Sequence, residues 1–322
     1  LPKVVAYVPE DSVVHGIVEE NSPEGWDVVR LDTASTSPEV LHSELADADF
    51  MLFFYGKITV EALSAGPNLR LLQTLHAGYD DVPVREAGEL GVAFANASGM
   101  NSQSVAELAI TLMLSLYRHL VWTHNALRDG EWVVERAAGH DTYELEGKTV
   151  GIVGLGNIGS ITARLVNGFN TEILYTDIEA KPDIEQRFGA RRVDLDELLS
   201  ESDIVTLHTP LDDSTNGLIG RHELSLMKSS AILINTCRGP VVQEDALIEA
   251  LRKRQIWGAG VDVYEQEPTP ADNPLLQLDN VVVVPHLAGQ TFESYPRRVQ
   301  LAFRNMERVI NGLPPINLIT PE

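Results

Sequence analysis

Short apolar runs alternate with helix-length amphipathic segments along almost the whole chain. In residues 1–95 the runs are Val4 to Val8, Val28 to Leu31, Phe50 to Phe54, Leu71 to Leu75 and Val92 to Phe94, separated by segments such as SPEVLHSELADA and TVEALSAG. Runs that are apolar at consecutive rather than alternate positions suit strands buried on both faces. They predict a small parallel sheet covered by helices. Ser37-Pro38-Glu39 and Thr59-Val60-Glu61 read as helix starts, each with a small capping residue and an early acid. Ligands of such sheets sit beyond the carboxyl ends of the strands. The loops Tyr55-Gly56-Lys57 and His76-Ala77-Gly78-Tyr79 are therefore this region's candidates for touching a substrate.

A long helical pattern follows from about Ser102 to Arg128, apolar around most of its circumference, as in a helix buried between domains or in a subunit interface. Gly130 to Gly147 reads as a loop carrying Trp132, His140 and Tyr143. The alternation then resumes with runs at Val150 to Val153, Ile204 to Leu207, Ala231 to Ile234, Gly258 to Val263 and Val281 to Val284, and with helices such as Gln243 to Arg254. A last helix, about Phe292 to Asn311, has no strand of its own and is ended by Pro314-Pro315. It is expected to return to the first sheet, leaving two chain crossings as a hinge. At 322 residues the chain exceeds what one core usually holds. The expected fold is α/β with two doubly wound parallel-sheet domains, one of residues 1–96 and 289–322 and one of residues 97–288.

The second domain opens on Thr149 to Asp177, TVGIVGLGNIGSITARLVNGFNTEILYTD, which is strand, glycine turn, helix, strand and acid. That is the dinucleotide-binding fingerprint in its full context, and it marks this domain as Rossmann-type, inserted into a flavodoxin-like first domain. Gly154 allows the tight turn, Gly156 leaves room for a pyrophosphate, and Gly159 lets the helix pack closely on the strand. Asn157 and Ile158 open the helix, whose N–H groups and dipole face the phosphates. A carboxylate at Asp177 accepts the two ribose hydroxyls of adenosine and repels a 2′-phosphate. No arginine waits in Ile178-Glu179-Ala180, so NAD is expected over NADP.

The formal charge of −23, from 47 acids against 24 bases, argues against nucleic acid as a partner. No apolar run reaches the length of a membrane span and no secretory-type segment opens the chain, so a cytoplasmic location is expected. The single cysteine, Cys237, forms no internal disulfide, in keeping with that compartment. No histidine and cysteine spacing resembles a metal-ligand set, and no metal is expected.

Three further stretches fall at strand ends: Asn235-Thr236-Cys237-Arg238-Gly239, Asp262-Val263-Tyr264-Glu265-Gln266-Glu267-Pro268 and Pro285-His286-Leu287-Ala288-Gly289. They bring an arginine, a carboxylate and an imidazole to a nicotinamide site, which suits a 2-keto acid. Arg238 can hold a carboxylate by two parallel hydrogen bonds. Hydride addition creates an alkoxide that needs a proton donor working near neutrality, and His286 fits. Glu267 would orient the imidazole and favour its charged form. Cys237 reads as a small residue packed near the cofactor, and His208 as a cofactor neighbour.

These motifs resemble the D-isomer-specific 2-hydroxyacid dehydrogenases, the family of D-lactate, D-glycerate and phosphoglycerate dehydrogenases and glyoxylate/hydroxypyruvate reductases. The resemblance covers nearly the whole chain, through GLGNIG with Asp177 after it, HTPLDDSTNGLI, NTCRGPVVQEDAL, GAGVDVYEQEP and PHLAGQT. It implies an NAD-dependent oxidoreductase that interconverts a small 2-keto acid and the D-2-hydroxy acid, with Arg238 as carboxylate ligand, His286 as acid/base and Glu267 as its partner. It also implies cofactor contacts from His208, Thr209, Pro210, Thr236, Cys237, Asp262 and Gly289. Substrate contacts would come from Tyr55, His76, and the N–H groups of Ala77 and Gly78. The family's habit implies a homodimer through the nucleotide domains. The absence of arginine from Tyr55-Gly56-Lys57 weighs against a phosphorylated substrate, so phosphoglycerate dehydrogenase is the lesser alternative. Glutamate at position 267 disfavours formate dehydrogenase, which has glutamine there, and Ala77 replaces the active-site lysine of phosphite dehydrogenase. A nicotinamide-sensing, corepressor-like member of the fold is the alternative from another functional class.

Overall fold

The computed structural model describes residues 1–80, 82–137 and 141–320, which form two compact units, residues 1–101 with 290–322 and residues 102–289. His140 lies outside the described residues. The first unit begins with five parallel strands, β1 (Lys3–Tyr7), β2 (Asp27–Leu31), β3 (Phe50–Phe53), β4 (Leu71–Thr74) and β5 (Ala93–Ala95). Their spatial order, β5-β4-β3-β1-β2, is the flavodoxin-like one. β3 and β4 are buried at every position, because helices cover both faces and leave no polar side for alternation. The capping residues act as expected: the Ser37 and Thr59 hydroxyls accept the N–H groups of Val40 and Ala62.

The second unit carries β6 (Thr149–Val153), β7 (Glu172–Thr176), β8 (Arg191–Arg192), β9 (Ile204–Leu207), β10 (Ile232–Asn235), β11 (Gly258–Val261) and β12 (Val281–Val283). They form one parallel sheet in the order β12-β11-β10-β9-β6-β7-β8. The strand order reverses between β6 and β9, and such a switch point opens a crevice at the carboxyl ends of the strands. Each face has its own apolar core. Leu198, Leu207, Leu233 and Leu247 pack on one side, and Ile110, Met113, Ile152 and Tyr175 on the other. Each fully buried side chain of this kind contributes roughly 1.5–3 kcal/mol.

The chain then returns to the first unit through the helix Ser294–Ile310, whose Val299, Phe303 and Met306 join the core of β1, β3 and β4. It ends in β13 (Leu318–Ile319), which pairs antiparallel with β5 and was not foreseen in the sequence. The long apolar pattern after residue 102 is two helices rather than one. Ser102–Tyr117 is mostly buried in the second unit, whereas Leu120–Arg128 buries only Ala126 and exposes Leu120, Val121 and Leu127. The two meet at a 63° bend at His119, whose φ of 49° is left-handed. No single described helix is long and apolar enough to cross a membrane. A short helix, Val134–Ala137, interrupts the segment expected to be a loop.

Candidate active site

Strand β6 enters the glycine turn and leads into the helix Asn157–Asn167. Gly154 has φ +88°, and a Cβ there would meet the His208 carbonyl oxygen at 2.8 Å. A Cβ on Gly159 would lie 2.1 Å from the Gly154 carbonyl oxygen, so the helix can lie this close to the strand only with glycine. At Gly156 a Cβ would meet nothing within 4 Å, and no side chain caps the helix that follows. This cradle of open N–H groups fits a pyrophosphate. Two buried polar atoms just past the ends of β9 and β10, His208 Nδ1 and Thr236 Oγ1, have no partner among the described residues and offer hydrogen bonds to a dinucleotide. Burial pushes the His208 imidazole down to about 3, and Thr206 Oγ1 lies 3.1 Å from Nε2. It is therefore neutral at physiological pH, which suits a cofactor neighbour and excludes it as the proton donor.

Asp177 ends the turn of β7, where its carboxylate accepts the N–H of Leu155 at 2.6 Å and of Glu179 at 3.0 Å. No arginine stands in Ile178-Glu179-Ala180, but one reaches the turn from elsewhere in the chain. Arg192 arrives from β8 and donates Nη2 to the carbonyl oxygens of Asp177 and Ile178, at 2.8 and 3.2 Å.

The three chemical groups lie beyond β10, β11 and β12. His286 Nδ1 meets Glu267 Oε2 at 2.6 Å, and the other carboxylate oxygen, Oε1, accepts the Tyr264 N–H at 3.0 Å. Burial pushes the Glu267 carboxyl up, but the hydrogen bond and charge of His286, the Tyr264 N–H and the charge of Arg238 together outweigh it and leave it below its ordinary value. Glu267 is thus an anion near neutrality, held from two sides, and Arg238 lies within its electrostatic reach. Arg238 is half-buried after β10 and donates Nη1 to the Cys237 carbonyl at 2.7 Å.

Asp262 plays a part that sequence did not show. It is fully buried, and its two carboxylate oxygens accept the N–H groups of Leu287 and Ala288 at 2.7 and 3.1 Å. Its own carbonyl accepts the His286 N–H at 2.8 Å. These three bonds pin the loop that holds His286 at φ 51°, a left-handed conformation uncommon for residues other than glycine. The Asp262 carboxylate, expected beside the nicotinamide, also holds the histidine loop.

Burial pushes the Cys237 thiol up, and its Sγ lies 3.1 Å from Asn235 Oδ1, so it packs as an inert small side chain. Thr209 is half-buried, Pro210 exposed and Gly289 buried. Among the described residues no group of three histidine, cysteine or acidic side chains is placed to hold a metal.

In the first unit, Tyr55 stands at φ 59° after β3 and its hydroxyl contacts Gln290 Nε2. His76 follows β4, with Nδ1 2.6 Å from the Gly78 carbonyl, and Asn96 Nδ2 donates to the Ala77 carbonyl at 2.6 Å. The Ala77 and Gly78 carbonyls of this loop are thereby fixed from inside the unit.

The sequence model of the NAD-binding domain of D-isomer-specific 2-hydroxyacid dehydrogenases matches residues 110–288. The chain is 38% identical over 296 residues to a glyoxylate reductase of Korarchaeum cryptofilum, covering 90% of this chain and 88% of the relative. It is 39% identical over 293 residues to glyoxylate/hydroxypyruvate reductase B of Yersinia pestis, with 90% and 89% covered. Among solved structures it is similar to the NADPH-dependent glyoxylate/hydroxypyruvate reductase of Sinorhizobium meliloti, at TM-score 0.87 and 29% identity, with 99% of this chain and 98% of the other covered.

Proposed function

Because this chain belongs to the D-isomer-specific 2-hydroxyacid dehydrogenase family, we propose that it is an NAD-dependent reductase of small 2-keto acids that forms the D-2-hydroxy acid. The observation that carries this is the His286–Glu267 contact at 2.6 Å, with the charge of Arg238 acting on the same carboxylate, all beyond the ends of neighbouring parallel strands. When bound, the nicotinamide supplies or accepts the hydride. Everything else falls to the protein. Arg238 holds the substrate carboxylate through its guanidinium fork, which fixes the keto carbon. Since Nδ1 of His286 is committed to Glu267, Nε2 is the atom that gives its proton to the keto oxygen, and it takes that proton back in the oxidative direction. Glu267 fixes the ring and stabilises its charged form, and Asp262 holds the loop beneath.

Asp177 is proposed to take the adenosine ribose diol, which favours NAD. A small, unphosphorylated substrate such as glyoxylate, hydroxypyruvate or a short 2-keto acid fits best. Arg238 is the only arginine of the trio and is occupied by the carboxylate. The first unit's loop Tyr55-Gly56-Lys57 has no arginine, while Arg298 in that unit is 2% exposed, packed against Phe54 and Tyr295 and bonded to Ser294.

The test is NADH oxidation scanned across a panel of keto acids that includes 3-phosphohydroxypyruvate. Turnover is expected to be highest on short unphosphorylated acids. Preference for the phosphorylated one would overturn the substrate assignment. Tight NADH binding with no turnover on any acid would favour nicotinamide sensing over catalysis.

A further inference from the structure

We infer that Lys181 and Arg192 form a phosphate-accepting position beside Asp177, through which the protein takes NADP as a second, less favoured cofactor. This deepens the proposed function and rests on the placement of the adenosine ribose at Asp177. Two cations converge on that residue. Lys181 Nζ lies 3.9 Å from Asp177 Oδ1 and 3.0 Å from Glu179 Oε2. Arg192 comes from β8, where it pairs in register with Tyr175 of β7, and it donates Nη2 to the carbonyl oxygens of Asp177 and Ile178.

The bonding of Arg192 is unlike that of its neighbour. Arg191, on the same two-residue strand, is paired with Glu197 and Glu201 at 2.5 and 2.6 Å, as expected on a chain with 47 acids. Arg192 is also exposed, yet its acceptors are neutral carbonyls, and among the described residues only its Nη2 has an acceptor. Its charge is therefore uncompensated at short range, and Nε and Nη1 remain for a planar, two-bond contact with phosphate oxygens. Lys181 has its pKa raised by the hydrogen bond it donates to the Glu179 carboxylate and, after an opposing desolvation, by the charges of Asp177 and Glu179. An exposed lysine–glutamate pair is weak. A phosphate monoester carries about −1.5 to −2 charges and three acceptor oxygens, so it can draw the flexible ammonium away from Glu179.

The Asp177 carboxylate still repels a 2′-phosphate, which keeps NAD preferred. The two cations offset that repulsion in part. Arg192 was not legible as a phosphate ligand from the residues that directly follow Asp177, because β8 has to pair alongside β7 before Arg192 reaches the turn.

The experiment measures binding apart from catalysis. Calorimetry compares adenosine 2′,5′-bisphosphate with AMP on the wild-type protein, on the Lys181→Gln/Arg192→Gln double variant and on Asp177→Asn, alongside kcat/KM for NADH and NADPH. The double variant is expected to lose about ten- to a hundredfold in affinity for the bisphosphate, the range of one or two charge-assisted hydrogen bonds, with AMP affected far less and NADPH efficiency falling in step. Equal losses for the two nucleotides, or no loss for the bisphosphate, would overturn the inference. The parent reading is checked separately. If Asp177→Asn leaves AMP and NADH binding intact, the ribose assignment fails. If the wild type prefers NADPH while the double variant still loses the bisphosphate selectively, the NAD preference fails and the cation pair stands.

Discussion

Replacing His286 by asparagine is expected to lower kcat/KM for keto-acid reduction by about 10² to 10⁴, the usual loss when a positioned general acid is removed. Asparagine is the informative substitute because residue 286 sits at φ 51°, and asparagine tolerates that conformation better than alanine does. The bonds that hold the loop come from the backbone N–H groups of residues 286, 287 and 288 to Asp262, so they survive the change. Affinity for NADH should persist, since the pyrophosphate cradle and Asp177 are untouched. Stopped-flow or steady-state NADH oxidation, with NADH binding followed by fluorescence, separates the two effects. A His286→Asn enzyme as active as the wild type would remove the imidazole from the chemistry.

Replacing Arg238 by glutamine should cost roughly 30- to 1,000-fold in kcat/KM, or about 2 to 4 kcal/mol, for the loss of a two-bond charged contact to the substrate carboxylate. KM should rise, and kcat should fall as well, because the fork both binds the keto acid and orients its carbonyl. Arg238→Lys should recover only part of the loss, since an ammonium carries the charge without the planar pair of donors. A second consequence distinguishes this role from simple packing. Arg238 helps keep the Glu267 carboxyl ionised, so its neutralisation should also disturb the pH dependence of whatever activity remains. An Arg238→Gln enzyme with unchanged KM and kcat would contradict the assignment.

Much of this site could be read from the sequence because its parts are local. The fingerprint places strand, glycines, helix and acid within Thr149 to Asp177, and each later group follows a short apolar run that suits a parallel strand. Since the carboxyl ends of parallel strands share one edge of a sheet, Arg238, Glu267 and His286 could be brought together without knowing any distance. What stayed hidden depends on pairings far apart in sequence or on backbone states with no compositional mark. Arg191–Arg192 is a strand of two charged residues, with nothing apolar to announce it, so the approach of Arg192 to Asp177 was invisible. The break at His119 carries no glycine or proline, and the apolar pattern runs straight through it. Strand β13 forms only because β5 offers an edge after a return of more than 200 residues. The bonds from Asp262 to the histidine loop span 25 and 26 residues, and a single buried aspartate beside a strand gives no hint of them.

The central claim is that Glu267, as an anion, supports the protonated form of His286 during proton transfer to a 2-keto acid. Its most direct test is the pH profile of kcat/KM in both directions, for the wild type and for Glu267→Gln. The Glu267 carboxyl is held below its ordinary value, so it is charged throughout the neutral range and stabilises the imidazolium. Reduction needs His286 protonated and should fall as pH rises, whereas oxidation of the hydroxy acid needs it neutral and should rise. Removing the carboxylate charge should move both limbs to lower pH, making the reductive optimum more acidic, while NADH affinity is retained. Limbs that stay where they are in Glu267→Gln, or that move to higher pH, would contradict the account.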